Sequence, residues 1–101
     1  SLLKVIWYCI TMESTKSINV CYAKHISWAL LGEDLFIFNE ITDNIYLFRG
    51  LYKEFWLAIQ NNNNLKNIIE SISPKYNIDS SKIKKCMTRF IDNNLIVWSC
   101  V

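Results

Sequence analysis

The sequence predicts an α+β domain: a three-stranded antiparallel sheet followed by three helices and a short last strand. Three observations predict it. Residues 24–48 hold three β-prone apolar runs separated by turn residues. From Gly50 onward the apolar period lengthens from two residues to about 3.6. The 101 residues are 51% hydrophobic and 14% aromatic, enough for one core without metal or disulfide support.

The elements follow in order. Residues 1–11, SLLKVIWYCIT, are β-prone, because Val5, Ile6, Trp7, Tyr8 and Ile10 suit a pleated surface. The polar run MESTKS then breaks the pattern, and Met12 reads as a natural start of translation. Residues 1–23 are therefore read as an N-terminal extension able to add a strand, and 24–101 as the domain. KHISWALL (24–31) is the first strand, LFIFNEI (35–41) the second and Ile45–Phe48 the third. Gly32-Glu33-Asp34 joins the first two. Thr42-Asp43-Asn44 joins the next two, with Asp-Asn tolerating the positive φ of a two-residue loop.

Leu51, Phe55, Trp56 and Ile59 fall on one face of a first helix. Asn61–Asn64 ends it, since asparagine is a poor helix-interior residue. Leu65, Ile68, Ile69 and Ile72 mark a second helix, stopped or kinked by Pro74. Asp79 or Ser80 can cap a third, whose apolar stripe is Ile83, Cys86, Met87 and Phe90. Asn93-Asn94 supplies a left-handed residue at its C-terminus, and Leu95–Trp98 is the last strand.

Charge is modest and uneven. Charged residues are 20% of the chain and the formal net charge is +2, so no overall basic footprint for nucleic acid is present. Within 33–56, five acids (Glu33, Asp34, Glu40, Asp43 and Glu54) face two bases (Arg49 and Lys53). Within 79–101, Lys82, Lys84, Lys85 and Arg89 face Asp79 and Asp92. The basic C-terminal segment is a local feature. The four cysteines, Cys9, Cys21, Cys86 and Cys100, form no paired motif, and His25 is the only histidine. Buried free thiols in a reducing cytosol are the expectation, and a Cys9–Cys21 disulfide stays open. The apolar run Leu2–Ile10 contains Lys4 and is too short to span a bilayer. A cytoplasmic protein is expected, without membrane partner.

Catalytic patterns are missing. His25 lies in an expected strand without a serine–acid pattern around it, and Glu33-Asp34 lies in a solvated turn. Two glycines cannot build a phosphate loop. The chain reads as a non-catalytic binding module with no cofactor. Two features can bind a partner. A meander leaves an edge strand with free N–H and C=O groups, open to an added strand unless residues 1–11 or the last strand cover it. On the third helix, Lys82, Lys85 and Arg89 line up beside Cys86 and suit an acidic ligand.

The order and spacing of these residues resemble a known family. Ser27-Trp28 lies in the first strand, followed by Thr42, Tyr46 and Phe48 around the second hairpin and Phe55-Trp56 in the first helix. Tyr76-Asn77-Ile78 comes next. Ile83, Cys86, Met87 and Phe90 then lead into Asn94-Leu95-Ile96. This pattern, over about residues 24–98, is similar to the precursor-peptide recognition elements (RRE) of RiPP biosynthesis, the PqqD-like domains. Asn94 stands where the family has glycine, a sensible exchange at a left-handed position. Asn61–Asn64 and the N-terminal segment depart from the family pattern.

The resemblance implies a winged-helix-like fold and a chaperone role: binding the leader region of a precursor peptide. The leader adds as a strand beside the third strand and lies against the third helix. Carried onto this chain, the peptide-binding residues are Ile45, Tyr46, Leu47, Phe48, Lys82, Lys85, Cys86 and Arg89. The resemblance also implies a peptide-modifying enzyme as partner, a radical SAM maturase being one option, and allows a homodimer. The competing reading is a winged-helix DNA-binding domain with Lys82, Lys84, Lys85 and Arg89 facing phosphates. The strands precede the helices, which removes the usual C-terminal wing, and polar base readers are lacking at the start of the third helix.

Overall fold

The computed structural model describes residues 18–100. The segment 1–11 and Met12 lie outside the described residues, while Cys21, left open to a disulfide with Cys9, is a free thiol. The elements are β1 (Ile18–Tyr22), β2 (Ile26–Leu31), β3 (Asp34–Asn39), β4 (Asn44–Phe48), α1 (Leu51–Asn61), α2 (Leu65–Ile72), α3 (Ser80–Asp92) and β5 (Ile96–Cys100). The fold is α+β, with the expected antiparallel meander β2-β3-β4 followed by three helices.

Strand β1 lies in the segment 1–23 expected to be able to add a strand, but after the polar run and not in the β-prone residues 1–11. Its Ile18 and Val20 are fully buried, while Cys21 is exposed. It pairs antiparallel with β5, Val20 opposite Trp98, in a separate two-stranded sheet. Its backbone is also held by the asparagine loop, since Val20 N donates to Asn63 O at 2.8 Å. The last strand therefore packs on β1 and not on the meander.

The meander registers are Trp28 opposite Ile37 opposite Tyr46, and Leu30 opposite Leu35 opposite Phe48. These residues lie on the inward phase, although Leu30 beside the hairpin is 45% exposed, and the alternate set, Ser27-Phe38-Ile45 and Ala29-Phe36-Leu47, faces outward. Gly32 has φ +62°, as the first central residue of a II′ hairpin turn requires.

The second hairpin differs from expectation. Its loop spans four residues, 40–43, because the strands close at Asn39 and Asn44. Buried Asn39 explains this, as its Oδ1 accepts from Ile41 N (2.9 Å) and Thr42 N (3.3 Å). Such an Asx turn competes with the ladder and stops β3 two residues early. His25 also falls outside the strand. It is an exposed turn residue with φ +63°, and its carbonyl accepts from Glu40 N at 2.9 Å.

Helix ends follow local chemistry. Asn64 caps α2, its side chain accepting from Lys66 N (3.0 Å) and Asn67 N (3.3 Å). Asp79 caps α3 through Lys82 N at 2.9 Å. At the other end of α3, Asn94 has φ +57°, Asn94 N donates to Ile91 O and Leu95 N donates to Phe90 O. That is a Schellman motif with asparagine at C′ and the buried pair Phe90 and Leu95 closing it.

Trp56 sits at the centre of the core, 0% exposed. Tyr22 stacks on it at 4.3 Å, and Trp28 and Phe90 meet it edge-on at 6.5 and 5.4 Å. The Tyr22 hydroxyl donates to Trp56 O at 2.6 Å. One aromatic cluster thus ties β1, β2, α1 and α3 together.

Candidate functional site

The site begins at β4. Since β5 pairs with β1, no described strand pairs with the outer edge of β4. Strand β4 alternates between faces, with Tyr46 and Phe48 inward and Ile45 and Leu47 outward, at 68% and 50% exposure. Phe48 is buried and anchors the strand. Its ring lies 5.7 Å from that of Tyr52 on α1 and meets Phe90 of α3 edge-on at 5.1 Å. Tyr46 stacks beside it, with centroids 6.4 Å apart. Just past the strand, Arg49 pairs with Asp34 at the start of β3, which holds the Asp34 carboxyl below its ordinary range.

Helix α3 forms the second wall. The Arg89 guanidinium lies 5.7 Å from the Phe48 ring, a cation–π contact on the inner side of β4. An open hollow of about 570 Å³ runs along α3, lined by residues including Tyr52, Lys84, Lys85, Thr88, Arg89 and Asp92. Tyr52 and Arg89 both touch Phe48, so they bound the hollow on the side nearest β4. Three cations against one carboxylate give it a basic character.

The eight residues singled out in the sequence divide into three groups. Ile45, Tyr46 and Leu47 lie on the open strand, and Lys85 and Arg89 line the hollow beside it. Phe48 and Cys86 are in the core. Cys86 is 1% exposed on the same helix face as Ile83, Met87 and Phe90, and burial pushes its thiol up to about 12. A residue on that face supports the groove from behind and presents nothing to its surface. Lys82 does not line the hollow. Its Nζ donates to Asn77 O at 2.6 Å and fastens the loop before α3.

The reading missed Tyr52, Thr88 and Lys84 as lining residues. The signal was available for two of them, since Lys84, Thr88 and Asp92 recur every four residues opposite the apolar stripe. Tyr52 carried no such signal, because it comes from another helix. Among the described residues no group of three or more His, Cys, Asp or Glu side chains is placed to hold a metal. No described helix is long and apolar enough to cross a membrane. Cys21 and Cys86 are free thiols, Cys86 buried and Cys21 exposed.

No protein-family model and no curated protein sequence matches the chain. Its fold has a solved counterpart. The chain is similar in structure to TbiB1, solved in complex with the TbiA(beta) leader peptide, with a TM-score of 0.65. The match covers 75% of this chain and 93% of TbiB1, at 10% sequence identity. The two chains share the fold, and the fold implied by the family resemblance is the fold found.

Proposed function

We propose that this domain is a precursor-peptide recognition element. It binds the leader region of a ribosomally synthesised precursor by strand addition at β4 and presents the peptide to a modifying enzyme. The observation that carries the reading is the unpaired edge of β4 beside the basic hollow of α3. The shared fold with a protein solved holding a leader peptide supports it.

In this mechanism the leader backbone pairs with the N–H and C=O groups of Asn44–Phe48, which gives affinity with little dependence on sequence. Leader side chains on the inward phase pass Tyr46 and reach Tyr52 and the hollow. There Lys85 and Arg89 pair with leader Asp or Glu. Phe48 and Cys86 hold the two walls in register from the core. Capture of the leader raises the effective concentration of the attached core peptide at the enzyme. The enzyme carries the chemistry and any cofactor; a radical SAM maturase is one such partner. A cytoplasmic, non-catalytic role follows from this division of labour.

The test is binding of a precursor leader peptide to the whole chain. Leu47→Pro, in a variant shown to be folded by circular dichroism, should abolish binding. Full affinity in that variant would move the site away from β4.

A further inference from the structure

A strand docked on β4 has two faces, and they meet different surroundings. The inward face meets Tyr46, Phe48 and the cations Lys85 and Arg89. The outward face continues a different surface. Ile45 and Leu47 lead from the open edge to half-buried Phe38 and Phe36, and then to Ser27 and Ala29 of β2. Ile45 rims a second hollow, of about 290 Å³, whose lining residues include no charged side chain. The charges on this phase lie at its ends, Asp43 in the loop before β4 and Arg49 after it, with Arg49 already paired with Asp34.

Resting on the proposed strand addition, we infer that Ile45 and Leu47 are specificity-determining residues. They select a leader segment that alternates, with acidic side chains on the phase facing α3 and apolar side chains on the phase beside Ile45 and Leu47. Two physical terms enforce the alternation. Residues side by side on one face of adjacent strands touch, at about 5 Å between Cβ atoms, so an apolar leader residue shields Ile45 or Leu47 from water. A carboxylate in the same place is partly desolvated, and the cation that continues this row, Arg49, is already paired with Asp34. One residue further along, the side chain turns inward and the same carboxylate meets Arg89. A slip of one residue therefore exchanges the favourable and unfavourable faces. Backbone pairing alone would tolerate that slip, so the outward face fixes the register.

The probe is a yeast-displayed library of random peptides of about ten residues, enough to span one strand with flanks. It is sorted against the whole chain and against two folded variants, Leu47→Pro and Ile45→Lys/Leu47→Lys. The native chain should enrich peptides with Asp or Glu on one phase and Val, Ile, Leu or Phe on the other. Exchanging two central residues of such a peptide, so that the acid turns outward, should weaken binding about tenfold. The double lysine variant should instead enrich acids on both phases. Enrichment without alternation, or alternation unchanged by the double lysine variant, overturns the inference and leaves strand addition standing. No enrichment over the Leu47→Pro variant removes the docking mode, and this inference with it.

Discussion

At the scale of single residues, the described structure separates side chains that make the fold from those that face a ligand. Trp56 belongs to the first kind. It is fully buried among Tyr22, Trp28 and Phe90, and its indole N–H has no hydrogen-bond partner among the described residues. Trp56→Ala should cost about 3–5 kcal/mol in chemical denaturation, because so large a cavity cannot collapse. Cys86 is also of the first kind. Burial raises its pKa from 9.0 to about 12, because the thiolate is disfavoured in the core. Below pH 9 both folded and unfolded chains keep the proton, so the neutral thiol costs no stability there. Between about pH 9 and about 12 the unfolded chain releases a proton that the folded chain holds, and stability should fall. Urea midpoints measured across that range should decline less steeply for Cys86→Ala. The burial of Cys86 was legible in its spacing from Ile83, Met87 and Phe90; its place in a contact line with Lys82 was not consistent with that spacing. Lys82 shows the limit of reading charge by position, since its bond to Asn77 O depends on where the loop before α3 runs.

At the scale of elements, most of the fold was legible because local signals agreed. The meander, the three helices and the Asp79 cap each rest on alternation, on helical spacing or on a capping side chain. Asn94 is the sharpest case, with φ +57° in a Schellman motif. Asn94→Ala should cost about 1–2 kcal/mol in thermal or urea unfolding, since a Cβ without a local polar group resists the left-handed region. Asn94→Gly should be neutral or stabilising. Two elements were not legible. Strand β1 has only five residues beside a polar run, and its partner β5 lies at the opposite end of the described chain. Nonlocal pairing of this kind leaves no mark in a sequence window. The four-residue loop at 40–43 is hidden because Glu40 and Ile41 read as a continuation of the strand, whereas the buried side chain of Asn39, its last residue, makes the turn. For the site, the predicted strand and basic helix do lie side by side, joined by Phe48 and Arg89. Lys85→Glu/Arg89→Glu should weaken leader binding by about tenfold or more, with the melting temperature little changed. Unchanged affinity would remove the α3 cations from the mechanism.

At the scale of the whole molecule, the arrangement divides labour between two small sheets. The β1–β5 pair is used up in closing the core beneath α1 and α2, which leaves the meander with its β4 edge open. An open edge is an aggregation hazard unless something occupies it. In the proposed role the occupant is the leader, and α3 beside the edge limits which strands can enter. The central claim is therefore one of place: the leader pairs with β4 and lies against α3. The most direct measurement is an NMR titration of the ¹⁵N-labelled chain with the leader peptide of its own precursor. Strand addition at β4 predicts shifts concentrated in residues 45–48 and 82–89, with newly protected amides along β4. Shifts centred on β1 and β5, or no shifts with leader but salt-sensitive shifts with duplex DNA, would contradict it.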